Sequence, residues 1–270
     1  MRLGFETAAL DARLLTGHAL GLDALALATR EQEPVSAEGA ERVAALVQRR
    51  MSGESVGRIM GEREFYGLAF GLNEATLEPR PDTELLVDLA IKALPAGGRL
   101  LDLGTGTGCI PIAILANRAD ANGTATDLSP VALAMAIANA DRHGVAGRLT
   151  FRQGDWFSAL GAEPGRFDLI VSNPPYISSA VVEELSVEVR DFDPRLALDG
   201  GPDGLAPYRV IAGEAARWLS AKGQLLVEIG YDQGESVSKL LADHGFAEVK
   251  VHKDLAGHDR VISAHQITTE

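Results

Sequence analysis

The chain has 270 residues, enough for one large domain or a medium domain with a small companion. With 46% hydrophobic and 23% charged residues it can bury a sizeable core, and its single cysteine, Cys109, excludes a disulfide framework and a multi-cysteine zinc site. A formal net charge of −13 argues against a surface that grips duplex nucleic acid through its phosphates, and favours a basic protein partner or a small molecule.

Residues 6–22 place Leu10, Leu14, Leu15 and Leu20 at helical spacing. Residues 36–50 repeat the pattern, with Pro34 as breaker, Ser36 as cap and Glu38 in the first turn. The first 57 or so residues therefore read as a small helical bundle, whose apolar face suits either internal packing or docking. In 58–78, Phe65, Tyr66, Leu68 and Phe70 alternate around Gly67 and Gly71, as in a hairpin linking two domains. Asp82 or Thr83 can cap a helix that runs to about Leu94. From Arg99 onward, strands and helices alternate: strand "RLLDLG", helix 108–118, strand "GTATD", a helix from Ser129-Pro130 to about His143, and strands "LTFRQGD" and "FDLIVSN". A long loop over 177–204 follows, then helix 206–220, strand "GQLLVEIG", helix 234–244 and two closing strands. Such alternation predicts an α/β fold, a mostly parallel sheet with helices on both faces and an antiparallel pair at its edge. No terminal stretch reads as a signal peptide and no apolar run reaches membrane-span length, so a cytoplasmic protein is expected. The six histidines show no metal-ligand spacing, and no metal is expected.

Three strand ends carry ligand-type residues. "LDLGTGTGCI" offers Gly104, Thr105, Gly106, Thr107 and Gly108 between strand and helix, where a backbone can turn sharply and a ligand can approach closely. It lacks both the dinucleotide glycine spacing and the lysine of a phosphate-binding loop, so a ligand without pyrophosphate is expected. Asp127 ends the next strand and can accept from both hydroxyls of a ribose. Ser129 is better placed to cap the following helix, which leaves Asp127 free for a ligand. At the third strand end, Asp155 can bind an adenine amino group and Trp156 can pack on its ring. Together these describe a nucleoside pocket. The stretch resembles the class I methyltransferases, with their Rossmann-like sheet. The resemblance implies S-adenosylmethionine as cofactor and S-adenosylhomocysteine as product, with Gly104 to Gly108 under the methionine part, Asp127 on the ribose and the position after Asp155 along the adenine.

The fourth strand end reads Asn173-Pro174-Pro175-Tyr176, and two successive prolines cannot continue a strand ladder. The plain reading is a turn; the chemical reading is a grip on a planar nitrogen. Such a nitrogen is a poor nucleophile, because its lone pair is delocalised. The Asn173 side-chain oxygen and the Pro174 carbonyl can accept its two hydrogens and meet the positive charge that develops on it. Tyr176 can pack on the flat group. Asn173, Pro174, Pro175 and Tyr176 are thus the catalytic candidates, and Asn173 also borders the cofactor.

Adenine amino groups and glutamine amides are both such nitrogens. "GEREFYGLAF" (61–70), "EPRPDTELLV" (78–87), "SNPPYI", "DPRLALDGGPDGL" (193–205) and "AGHDRV" (256–261), in this order, are similar to the peptide chain release factor glutamine methyltransferase family. The resemblance implies a helical bundle over 1–57 that docks the substrate protein, a linking hairpin over 58–78 and a methyltransferase domain over 79–270. It implies methylation of the glutamine in the Gly-Gly-Gln tip of release factors, with no direct nucleic-acid or membrane binding. An adenine amino methyltransferase of nucleic acid and a glutamine methyltransferase of a ribosomal protein are the alternatives. Three positions depart from the family pattern: Ser55 where proline is common, Glu78 where an aliphatic residue precedes "PRPDTE", and Asp193 where glutamate precedes "PRLAL". Arg80 and Thr83 are further candidates for closing the pocket.

Overall fold

The computed structural model describes residues 7–161 and 166–266. The start of the predicted first helix at Glu6 lies outside them. The amino-terminal helices are α1 (Ala8–Leu20), α2 (Ala24–Thr29), α3 (Ala37–Met51) and α4 (Val56–Met60). Their caps are local: Asp23, Ser36 and Ser55 side chains accept from the backbone N–H of Ala26, Gly39 and Arg58. Of the apolar stripe on α1, Leu15 is buried, but Leu10 and Leu14 remain 56% and 42% exposed. Helix α2 adds to the expected elements, because six residues are too few to show a period.

Strands β1 (Glu62–Phe65) and β2 (Leu68–Gly71) form the expected hairpin. Tyr66 and Gly67 both take positive φ, 54° and 73°, the geometry of a two-residue hairpin turn. Phe65 and Phe70 leave the hairpin to enter the main core. Asn139 ties it to the sheet domain: its Oδ1 accepts from Gly71 N–H at 2.8 Å, and its Nδ2 donates to the Thr107 carbonyl at 2.9 Å.

The main sheet has seven strands. These are β3 (Arg99–Leu103), β4 (Asn122–Asp127), β5 (Leu149–Gln153), β6 (Phe167–Ser172), β7 (Leu219–Glu228), β8 (Phe246–Lys253) and β9 (Asp259–Gln266). Their order is β5-β4-β3-β6-β7-β9-β8. The first five are parallel, and β9 and β8 run antiparallel at the edge, as the pattern predicts. Alternate residues point to opposite faces. Leu100, Leu169 and Val171 pack beneath α5 (Glu84–Ala93) and α6 (Cys109–Asn117). Leu101, Leu103 and Ile170 pack with α10 (Ala206–Trp218) and α11 (Gly234–Asp243). Helix α7 (Pro130–Arg142) starts at the cap Ser129, whose hydroxyl accepts from Ala132 N–H.

The structure departs from three expectations. Neither Asp82 nor Thr83 caps α5 through its side chain. Pro81–Thr83 is a 3-10 turn that runs directly into the helix, and Thr83 is already helical at φ −67°, ψ −17°, so its hydroxyl is turned elsewhere. Strand β7 begins at Leu219, displacing the end of the preceding helix, because Leu219 pairs with Phe167 across a bulge. The expected loop over 177–204 holds two single-turn helices, α8 (Ser179–Val182) and α9 (Val187–Arg190).

Candidate active site

Because β3 to β6 are parallel, their carboxyl ends lie on one side of the sheet. The strand order reverses between β3 and β6, the place where open sheets bind ligands. A cavity of about 560 Å³ opens there. Gly104, Thr105, Gly106, Thr107, Asp127, Asp155, Trp156, Asn173 and Pro175 all line it; Gly108, Pro174 and Tyr176 stand outside the lining.

The glycine loop is held from below. Gly104 and Thr105 N–H both donate to the Thr126 carbonyl at 2.9 Å. Gly108 takes φ 79°, and a Cβ there would meet Ile112 and Ala136, so this glycine lets α6 pack rather than touching the cavity. Asp127 is not as free as its position suggested. Its Oδ2 accepts from Gly106 N–H and its Oδ1 from Ser129 N–H, both at 2.8 Å. Ser129 does cap α7, yet its own N–H still needs an acceptor. Each Asp127 oxygen keeps a second lone pair for a ligand. Burial raises the Asp127 pKa and these N–H groups oppose it. Trp156 holds a φ of 46°, unfavourable for a bulky residue, and stands across from Gly104.

Sequence reasoning missed Asp102, in the middle of the apolar strand β3. It is wholly buried, and burial pushes its carboxyl up to about 7. The Thr105 hydroxyl pulls it back without reaching hydrogen-bonding geometry, so both carboxylate oxygens lack a partner. A lone acid inside "LLDL" was the available signal. Glu228, inside "LLVEIG", is the second case: it too is fully buried, with its carboxyl pushed up to about 7.

At the end of β6, Asn173 is half-buried, and its Nδ2 donates to the Thr83 hydroxyl at 3.3 Å. Tyr176 packs partly against the core cluster of α10 and α11. Burial, and secondarily the Glu228 charge, push its phenol up to about 12, so it stays protonated. The "DPRLALDGGPDGL" segment cradles the turn. Ile177 N–H donates to the Leu198 carbonyl, and Gly200 N–H returns a bond to the Ile177 carbonyl. A Cβ on Gly200 would lie 2.7 Å from the Pro175 carbonyl oxygen, so only glycine permits this approach. Gln233 Nε2 closes the cradle by donating to the Tyr176 carbonyl at 3.0 Å. Arg80 borders the cavity and pairs with buried Asp193 at 2.7 Å; Arg58 of α4 holds the other Asp193 oxygen at 2.5 Å. Among the described residues no cluster of His, Cys, Asp or Glu could hold a metal ion, and no helix is long and apolar enough to cross a membrane.

This fold and site define a methyltransferase. Residues 81–189 match the family described as Methyltransferase small domain. In fold, the chain is similar to a methyltransferase from Pyrococcus furiosus (16% identity, TM-score 0.56, covering 83% of this chain and 100% of that one). Residues 2–61 match the PrmC N-terminal domain. Two relatives named release factor glutamine methyltransferase extend over nearly the whole chain. The one from Agrobacterium fabrum is 47% identical over 94% of this chain and 89% of its own length. The one from Cereibacter sphaeroides is 48% identical over 97% and 92%. The chain belongs to the release factor glutamine methyltransferase family.

Proposed function

We propose that the chain transfers a methyl group from S-adenosylmethionine to the side-chain amide nitrogen of the glutamine in the Gly-Gly-Gln tip of peptide chain release factors. The observation that carries this reading is the position of Asn173. It ends β6 at the edge of the cavity made by the glycine loop, and its amide nitrogen is already occupied by Thr83, which leaves its oxygen to accept.

The residues present fit the cofactor. The loop brings bare backbone to the cavity, Asp127 keeps lone pairs for a ribose diol, Trp156 offers a ring face, and Asp102 is an unpartnered buried carboxyl beneath the loop. Gly104, Thr105, Gly106, Thr107, Asp127, Asp155, Trp156 and Asn173 would hold it. When bound, S-adenosylmethionine supplies an electrophilic methyl group on a sulfonium. Asn173 Oδ1 and the Pro174 carbonyl accept the two hydrogens of the glutamine amide and favour the charge that grows on its nitrogen. Pro174 and Pro175 stiffen the turn that presents them. Tyr176, neutral throughout, offers a flat wall. Alignment within this cavity contributes a large share of the rate.

We further propose that residues 1–57 dock the substrate protein, 58–78 link, and 79–270 carry out the chemistry. The exposed Leu10, Leu14 and Leu25 of the helical segment support docking over internal packing. A negative net charge suits a basic partner that works beside ribosomal RNA.

The test is incubation with labelled methyl donor and purified release factor, followed by mass spectrometry of the Gly-Gly-Gln peptide. Label on its glutamine is expected. Label on nucleic acid, or on a ribosomal protein, with none on that peptide would overturn the reading.

A further inference from the structure

The mechanism above leaves one buried acid unused. Glu228 closes β7, and the residue before it, Val227, pairs with Ser172, the residue before Asn173. Glu228 is 2% exposed, and its Oε2 has no partner. The nearby Thr83 hydroxyl and Asn173 amide favour its charged form, Thr83 the more, but neither reaches hydrogen-bonding geometry with it in this structure.

We propose that Glu228 and Thr83 are positioning residues for Asn173: the carboxylate takes the Thr83 hydroxyl hydrogen, which obliges the Thr83 oxygen to accept from Asn173 Nδ2 and so turns Asn173 Oδ1 toward the substrate amide. This rests on the proposed function only in naming that amide. Hydrogen-bond polarity sets the direction of each bond. An ionised carboxylate can only accept, so the hydroxyl beside it must donate to it. That hydroxyl then has only lone pairs left for Asn173, which matches the Nδ2 contact at 3.3 Å. A protonated Glu228, or a glutamine in its place, could donate instead. Thr83 would then be free to donate to Asn173 Oδ1 and occupy the acceptor that catalysis needs.

The groups facing Glu228 set how easily it ionises. From the turn before α5 comes Asp82, which opposes the charge; from β9 comes Arg260, which favours it. Arg260 is shared with Asp82 at 3.1 Å and Asp254 at 3.2 Å, and its buried Nε has no partner. Tyr176 follows β6, Tyr208 of α10 donates its hydroxyl to the Glu228 backbone carbonyl at 2.8 Å, and Cys109 opens α6; these three are neutral near pH 7, their own pKa values being raised by burial. Burial outweighs the favourable contacts, so the Glu228 proton is exchanged near pH 7 and the polarity of the chain turns over there.

The test has two arms. In the first, with no substrate present, the side-chain amide resonances of ¹⁵N-labelled Asn173 are followed with pH. They should shift with a midpoint near 7 in the wild type and lose that titration in Glu228→Gln; identical, flat behaviour in both would overturn the proposal. In the second, methyl transfer is measured. Glu228→Gln should lower kcat tenfold or more and abolish its acid limb, with cofactor Kd and substrate KM changed less than twofold. Thr83→Val should lower kcat likewise, and Thr83→Ser should recover most of the loss, a pair that remains decisive if Glu228→Gln fails to fold. Wild-type kcat and pH profile in Glu228→Gln, or equal losses in Thr83→Ser and Thr83→Val, would overturn it. A wild type that never methylates release factor overturns the proposed function instead, and the first arm still decides the role of Glu228.

Discussion

The Ser55 hydroxyl donates to a Glu78 carboxylate oxygen at 2.5 Å, and both side chains are buried where α4 meets the strip that enters the cavity wall. These are two of the three departures from the family pattern, and they touch each other. A hydroxyl in place of a proline ring and a carboxylate in place of an aliphatic chain form one polar pair, with Arg63 3.4 Å away from the same carboxylate. The third departure, Asp193, lies in the adjoining network between Arg58 and Arg80.

That contact predicts coupling. Ser55→Ala leaves a buried carboxylate oxygen short of a donor and should destabilise the protein by about 1–3 kcal/mol. It also removes the cap on α4, worth roughly 1 kcal/mol in any background. In a Glu78→Leu background only the cap loss should remain. Urea unfolding of the four proteins gives the coupling, expected at roughly 0.5–3 kcal/mol. An equal cost of Ser55→Ala in both backgrounds would show that the pair contributes nothing.

Asn173→Ala removes an acceptor used as charge develops. Methyl transfer should fall on the order of a hundred- to a thousandfold. Cofactor should still bind by calorimetry, since the glycine loop and Asp127 are untouched. Near-normal transfer by this variant would refute the grip on the amide.

Asp127→Ala acts on the other half of the site. It removes the acceptor for a ribose and also frees Gly106 and Ser129 N–H, so the loop loses one of its anchors while the Thr126 carbonyl keeps Gly104 and Thr105. Cofactor Kd should rise about tenfold or more, from lost hydrogen bonds to a charged group. The turnover of the saturated enzyme should suffer far less than in Asn173→Ala. The reverse ordering of the two effects would show that Asp127 does not bind the cofactor.

The alternation of strands and helices was legible because buried parallel strands leave short continuous apolar runs bounded by turn residues, whereas the helices between them are longer and repeat apolar residues at helical spacing. The cavity was legible because its parts sit at successive strand ends, so a one-dimensional order maps onto one edge of the sheet. What could not be read were relations between distant residues. Thr83 looked like a cap, and only the fold shows it against Asn173, 90 positions away. Asp102 and Glu228 look like ordinary members of apolar strands, and only their burial makes them acids with shifted protonation. Asp127 looked free because the N–H groups of Gly106 and Ser129 carry no side-chain signature.

A net charge of −13 predicts a difference between whole substrate and fragment. Long-range attraction to a basic factor is screened by salt, whereas contacts inside the cavity are screened less. Raising salt from low to physiological strength and above should slow methylation of intact release factor more than that of a short Gly-Gly-Gln peptide. Parallel curves would place recognition wholly within the cavity.

Asp102 predicts how stability changes with pH. Its ordinary value is 3.8, and in the folded protein burial lifts it to about 7, with the Asp127 charge adding to the rise. Between those values the folded state keeps a proton that the unfolded chain has released. Stability from this group is therefore greatest below about pH 4 and falls until about pH 7, where the buried charge must form. Glu228, lifted from 4.5 to about 7, adds a slope of the same sign. Asp102→Asn stays neutral at every pH and should remove its share of the slope. The variant should gain stability relative to wild type between pH 5 and pH 8, by on the order of 1–4 kcal/mol, since each tenfold change in proton affinity is worth about 1.4 kcal/mol. Chemical unfolding of both proteins at the two pH values, without cofactor, measures this directly. A stability difference that is the same at pH 5 and pH 8 would mean that Asp102 does not exchange its proton in that window.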